Sequence, residues 1–143
     1  MKTIWLLLIV SASLNAQMQT VRGYNEMKAG IAACKSDPSC LPKLESLKSE
    51  VQLYLKGMGD GFVWANTVLQ STERDRLYCA PEKLELNLDN YQQILESFLP
   101  NAQGSFEEIM KRGSFKSVDE MPLGLALLLA LMDAFPCHPP QTK

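Results

Sequence analysis

The sequence predicts an all-α fold, a small four-to-five-helix bundle braced by two disulfides around a central apolar C-terminal helix. Three observations carry this. Leu44, Leu47, Val51, Leu55, Met58, Phe62, Ala65 and Leu69 recur three and four residues apart, the spacing of one helix face over residues 42–70. Residues 121–132 contain no charged side chain, yet the run is too short to cross a bilayer and is best buried as a core helix. Four cysteines, Cys34, Cys40, Cys79 and Cys137, follow an apolar leader, and an even number after such a leader points to two bridges.

The elements follow in order. Lys2, the apolar run Ile4 to Val10 and the small, polar Ser11 to Ala16 have the layout of a secretory signal peptide, with cleavage expected after Ala16. Residues 17–143 then form one domain. Removal of Lys2 takes the net charge from −2 to about −3, with no basic run, which argues against nucleic acid as a partner. Residues 24–34 predict a first helix, and Pro38 and Pro42 break and restart the chain. After the long helix, Cys79-Ala80-Pro81 belongs to a loop. Asn87 suits the N-cap of a helix carrying Leu88, Tyr91, Ile94, Leu95 and Phe98, which Pro100 ends. A short helix is expected between Gly104 and Gly113. Asp119 is placed to cap the last helix, with Pro122 in its first turn.

Three cysteine pairings are possible. Cys34–Cys40, which closes a short loop across Asp37 and Pro38, together with Cys79–Cys137 is the expected set. No close cysteine pair exists and His138 is the one histidine, so a metal site is not expected. No cofactor motif is present, and a histidine five residues from the end is a poor general base. These features predict a protein that is not an enzyme and works by surface recognition.

Gly57, Gly59 and Gly61 alternate within the long helix, where each costs roughly 0.5–1 kcal/mol relative to alanine. Gly57, Gly61 and Ala65 form one narrow stripe, and Ala126, Ala130 and Ala134 form another on the last helix. The expectation is that the two stripes pack together and bring the backbones close. The competing account sets one stripe at a homodimer seam. Gly59 lies on another face, and neither account explains it. Asp60, beside the stripe, is expected to find hydrogen-bond partners, with backbone N–H groups or Tyr54 as the candidates.

Tyr54-Leu55-x-Gly57-x-x-Asp60, then Cys79-x-Pro81, then an apolar helix ending Phe135-Pro136-Cys137, resemble the Rap/Tai family of periplasmic immunity proteins of the type VI secretion system. The resemblance runs from about residue 30 to 137 and rests on the order and spacing of its motifs. It implies a small all-helical protein, without cofactor and often dimeric, that neutralises a cell-wall amidase effector. It also implies that Tyr54, Gly57 and Asp60 define the fold, and that Cys79, Pro81, Pro136 and Cys137 form a disulfide region. The chain departs from the family at Val51, where a cysteine is usual, and in the longer, more irregular stretch from Gly104 to Lys116. Within that stretch Phe106, Lys111, Arg112 and Phe115 have the composition of a partner-binding surface, and packing of the aromatic residues under the domain is the alternative. The rival functions are a periplasmic chaperone with many weakly bound clients and an envelope adaptor without a toxin partner.

Overall fold

The computed structural model describes residues 19–34, 38–102, 107–112 and 115–137. The expected signal peptide, Gly104, Phe106 and His138 lie outside them, as does the side chain of Lys111.

Helix α1 (Val21–Cys34) starts where Thr20 caps it. The Gly23 N–H donates to Thr20 Oγ1 at 3.2 Å and the Tyr24 N–H to the Thr20 carbonyl at 3.0 Å. Val21, Tyr24 and Met27 make its buried face. The Cys34–Cys40 bridge, with Cα atoms 5.3 Å apart, turns the chain into α2 (Leu41–Ser71). At 31 residues, α2 is about 46 Å long. Its C-terminus is a Schellman motif: the Arg74 N–H reaches the Leu69 carbonyl at 2.8 Å and the Glu73 N–H that of Gln70 at 3.2 Å. Glu73 holds the left-handed position, with φ 56°. Glycine adopts that conformation without steric penalty, so Glu73→Gly is expected to stabilise the fold by about 1 kcal/mol in chemical denaturation.

Helix α3 (Leu88–Phe98) opens on a capping box in which the Asn87 and Asn90 side chains each accept the other's backbone N–H at 3.1 Å. Tyr91, Leu95 and Phe98 are its buried stripe. A short helix, α4 (Glu107–Arg112), is followed by a 3₁₀ turn over Val118–Glu120 and then α5 (Leu123–Ala134). Asp119 lies in that turn and does not cap α5. The N-cap position is Pro122, which offers no side-chain acceptor. The start of α5 is instead tied to the N-terminal segment, with the Leu123 N–H donating to the Gln19 carbonyl at 2.7 Å and the Val21 N–H to that of Met121 at 3.0 Å.

Helix α5 is the centre of the core. Leu123, Ala126, Leu127, Ala130 and Leu131 are fully buried against Tyr91 and Leu95 of α3, Leu55 of α2 and Tyr24 of α1. The fold is the expected all-α bundle with both expected bridges. Paired cysteines are the state of an oxidising, extracytoplasmic compartment. No helix among the described residues is long and apolar enough to cross a membrane.

One ionic cluster ties α1 to α3. Glu96 Oε1 accepts from Lys28 Nζ at 2.7 Å, the Tyr24 hydroxyl at 2.8 Å and Gln92 Nε2 at 3.1 Å. Partial burial works to raise the Glu96 pKa, but these donors outweigh it and hold the carboxyl below its ordinary 4.5. A carboxyl depressed by folding stabilises the folded state above its unfolded pKa, and that stability is lost as pH falls through the folded value. The melting temperature of the wild type is therefore expected to drop on acidification below the ordinary 4.5. Glu96→Gln is expected to be less stable at neutral pH and to lose less on acidification. Thermal denaturation across that range checks both.

Candidate functional site

Helix α2 carries three kinds of surface. Its core face, Val51, Leu55, Met58 and Phe62, packs inward. Lying about 120° around the helix, Leu53, Gly57, Gly61, Trp64 and Val68 all face solvent. Leu53 is 69% exposed, Trp64 72% and Val68 58%. On its remaining side α2 forms one wall of a cleft.

This overturns the expected contact between the small stripes. A Cβ placed on Gly57 or Gly61 would meet nothing within 4 Å among the described residues. Ala65 is half-buried, Ala126 and Ala130 are buried, and Ala134 is exposed. Ala130 and Ala134 border a shallow groove with Ile94, Ser97 and Phe98 of α3, not the glycines of α2. Burial follows apolar area. Val51, Leu55 and Phe62 each bring roughly 1.5–3 kcal/mol inward, whereas glycine has no side chain to bury, so the large residues set which face of α2 turns to the core. The close approaches fall elsewhere. Gly124 of α5 admits the Met58 side chain, with its Sδ 3.4 Å and the Tyr54 hydroxyl 3.5 Å from where a Cβ would stand. Gly59, which the stripe could not explain, admits the ring of Tyr91.

Tyr54 is half-buried at the α2–α5 contact. Asp60 accepts from Lys56 Nζ one turn earlier, an exposed pair, and neither backbone N–H groups nor Tyr54 supply its partner. Arg112 is exposed, Phe115 is half-buried, and Ile109 packs on the core. Phe106 and the Lys111 side chain lie outside the described residues.

The cleft runs between the second half of α2 and the segment after it, and its volume is about 570 Å³. Asn66 holds that segment in place: its Oδ1 accepts from the Leu77 N–H at 2.7 Å and its Nδ2 donates to the Tyr78 carbonyl at 2.9 Å. The Cys79–Cys137 bridge and the Cys79 N–H to Phe135 carbonyl bond, at 2.8 Å, pin it from the other side. Tyr78 and Tyr91 line the cleft together with Asp60, Trp64, Arg76 and Leu84. Burial, then the neighbouring Tyr78 and Asp60, push the Tyr91 phenol up to about 12, and burial raises Tyr78. Both therefore stay protonated and able to donate at neutral pH. Among the described residues no His/Cys/Asp/Glu group has the arrangement of a metal site.

Sequence reasoning missed the outer ridge and the phenols. A signal for the ridge existed: Leu53, Trp64 and Val68 fall on the same wheel sector as Gly57. Tyr91 carried only the signal of a core residue, since its hydroxyl's surroundings come from two other segments. No family model, no curated protein and no solved structure matches this chain.

Proposed function

We propose that this chain is a periplasmic immunity protein that binds and neutralises a secreted effector, a cell-wall amidase being the class that the Rap/Tai resemblance implies. The observation that carries the reading is the outer ridge of α2. Two glycines there lower helix stability with no packing contact among the described residues in return, and they are flanked by an exposed tryptophan, leucine and valine. A bare helix surface beside an aromatic anchor allows a partner's backbone to approach closely, and tryptophan is enriched among residues that dominate binding energy. The protein acts by covering its partner and carries out no chemistry of its own.

Expression of the effector in the periplasm with and without this protein tests the reading. Trp64→Glu is expected to abolish protection and to weaken binding at least about tenfold, with little change in melting temperature because the side chain is exposed. Arg112→Glu tests the α4 segment in the same assay. Full protection by Trp64→Glu and loss with Arg112→Glu would transfer the interface to that segment. Capture of many unfolded clients at low pH, with no effector bound at neutral pH, would favour the chaperone reading.

A second reading is favoured by the symmetry of the ridge. Antiparallel pairing of two copies of α2 about the Asp60–Gly61 midpoint sets Leu53 against Val68, and Trp64 into the notch over Gly57. Such a surface is self-complementary, as a two-fold interface requires. Gly57→Ala and Gly61→Ala separate ridge function from folding. Each is expected to stabilise the isolated chain by about 0.5–1 kcal/mol while weakening whichever partner occupies the ridge. Solution mass then identifies the partner: a dimer that Trp64→Glu converts to monomer assigns the ridge to a second copy.

A further inference from the structure

A second groove runs between α1 and α2, away from the ridge: Lys48, which lines it, lies about 160° around α2 from Trp64. Its volume is about 400 Å³, within the range of small-ligand sites. Met27, Ile31 and Ala32 of α1 and Val51 of α2 give it apolar walls, and Met27 and Val51 belong to the buried core. None of the four offers a strong hydrogen-bond donor or acceptor. The polar side chains at the groove divide into two sets. Lys28 and Gln92 are committed, because both donate to Glu96 Oε1, at 2.7 and 3.1 Å, and the Tyr24 hydroxyl is held there too. Lys48 and Gln52 stand one turn apart on α2, and among the described residues neither side chain makes a hydrogen bond or ion pair.

The charges select the ligand. The chain carries a net charge of −2, yet among the described residues no carboxylate lines this groove. Glu96, which adjoins it, already neutralises Lys28. One cation, Lys48, is therefore left over beside apolar walls, with the Gln52 amide as a second donor. Such a groove suits one negative charge on an otherwise apolar chain. A peptide would bring backbone amides, which lose their water and find no partner on Met27, Ile31, Ala32 or Val51. A volume at the lower end of the ligand-site range suits one alkyl chain rather than two. The geometry points to a binding site for a medium-chain fatty acid, whose carboxylate accepts from Lys48 Nζ and the Gln52 amide while its alkyl chain lies along Met27, Ile31 and Val51. This goes beyond the partner surface and does not depend on it, since the groove and the ridge use different faces of α2.

Titrating the full chain with butyrate, hexanoate and octanoate, each below its micellar concentration, tests this. The readout is the NMR shifts of the Met27, Ile31 and Val51 methyl groups. Saturable shifts are expected, with octanoate on the order of tenfold tighter than hexanoate, since each buried CH₂ is worth about a factor of four. Octylammonium and acetyl-leucyl-leucine form the cationic and peptide arms, and both should bind more weakly than octanoate. Lys48→Glu is expected to weaken octanoate binding about tenfold, the loss of a charged hydrogen bond. Its melting temperature should be unchanged, because the side chain is exposed. Lys48→Arg keeps the charge and should keep the binding. Ala32→Phe, also at an exposed position, fills the groove and should abolish it. The proposal is overturned by the absence of saturable shifts or by equal affinity for all three acids. Octylammonium or the dipeptide binding as tightly as octanoate would overturn it too, as would unchanged octanoate affinity in either Lys48→Glu or Ala32→Phe. None of these variants touches the ridge, so effector binding can fail while this site stands, and the reverse.

Discussion

Replacing Cys79 and Cys137 together by serine is expected to lower the free energy of unfolding by about 4 kcal/mol, the chain-entropy value for a loop of this size. The bridge joins residues 58 apart in sequence, whereas Cys34–Cys40 spans 6 and is expected to contribute only about 2 kcal/mol. The larger effect has a local consequence too. Cys79–Cys137 anchors the segment that carries Tyr78 and forms one wall of the cleft, and Tyr78 packs against Phe135 with ring centroids 6.5 Å apart. Without the bridge, the segment keeps the two Asn66 side-chain bonds to α2 and the Cys79 N–H to Phe135 carbonyl bond. Urea denaturation of the oxidised wild type against the double serine variant measures the loss. An effect no larger than that of removing Cys34–Cys40 would show that the loop-size account is wrong here.

Gly59→Ala is expected to destabilise the protein by about 2 kcal/mol, near 8 °C in melting temperature for a domain of this length. The added methyl would overlap the Tyr91 ring, which is fully buried and cannot swing aside. The estimate sets an overpacking penalty of roughly 3 kcal/mol against a gain of nearly 1 kcal/mol in helix propensity. Its neighbours make sharp controls, because Gly57→Ala and Gly61→Ala add the same methyl to open space and should move stability the other way. Gly124→Ala should be milder, since the atom it meets is the flexible end of Met58. Gly59→Ala in a Tyr91→Leu background should lose most of its penalty, a non-additivity that residues in contact produce. Equal effects of alanine at Gly57 and Gly59 would refute the packing described for α2.

The bundle itself was legible because each signal was local. The apolar spacing of α2, the Asn87 cap of α3, the two bridges and the uncharged run of α5 all stand where the residues placed them. The reading of the glycines failed for an instructive reason. Leu55, Met58 and Phe62 already marked one side of α2 as the core, and Gly57 lies well away from it on the same wheel. A stripe of small residues permits close packing but supplies almost no force toward it, so the apolar side chains decided the rotation of the helix.

By itself the sequence determined the helices, their order and the expectation of two bridges, since periodicity, caps and cysteine number are read over a few residues or by counting, while the choice among the three pairings came from the structure. Only the tertiary structure decided which face of α2 meets water, that Gly59 makes room for Tyr91, and that two phenols from distant segments share one cleft. Those outcomes depend on how elements far apart in the chain rotate against one another to bury the most apolar surface, a competition that no short stretch of residues encodes.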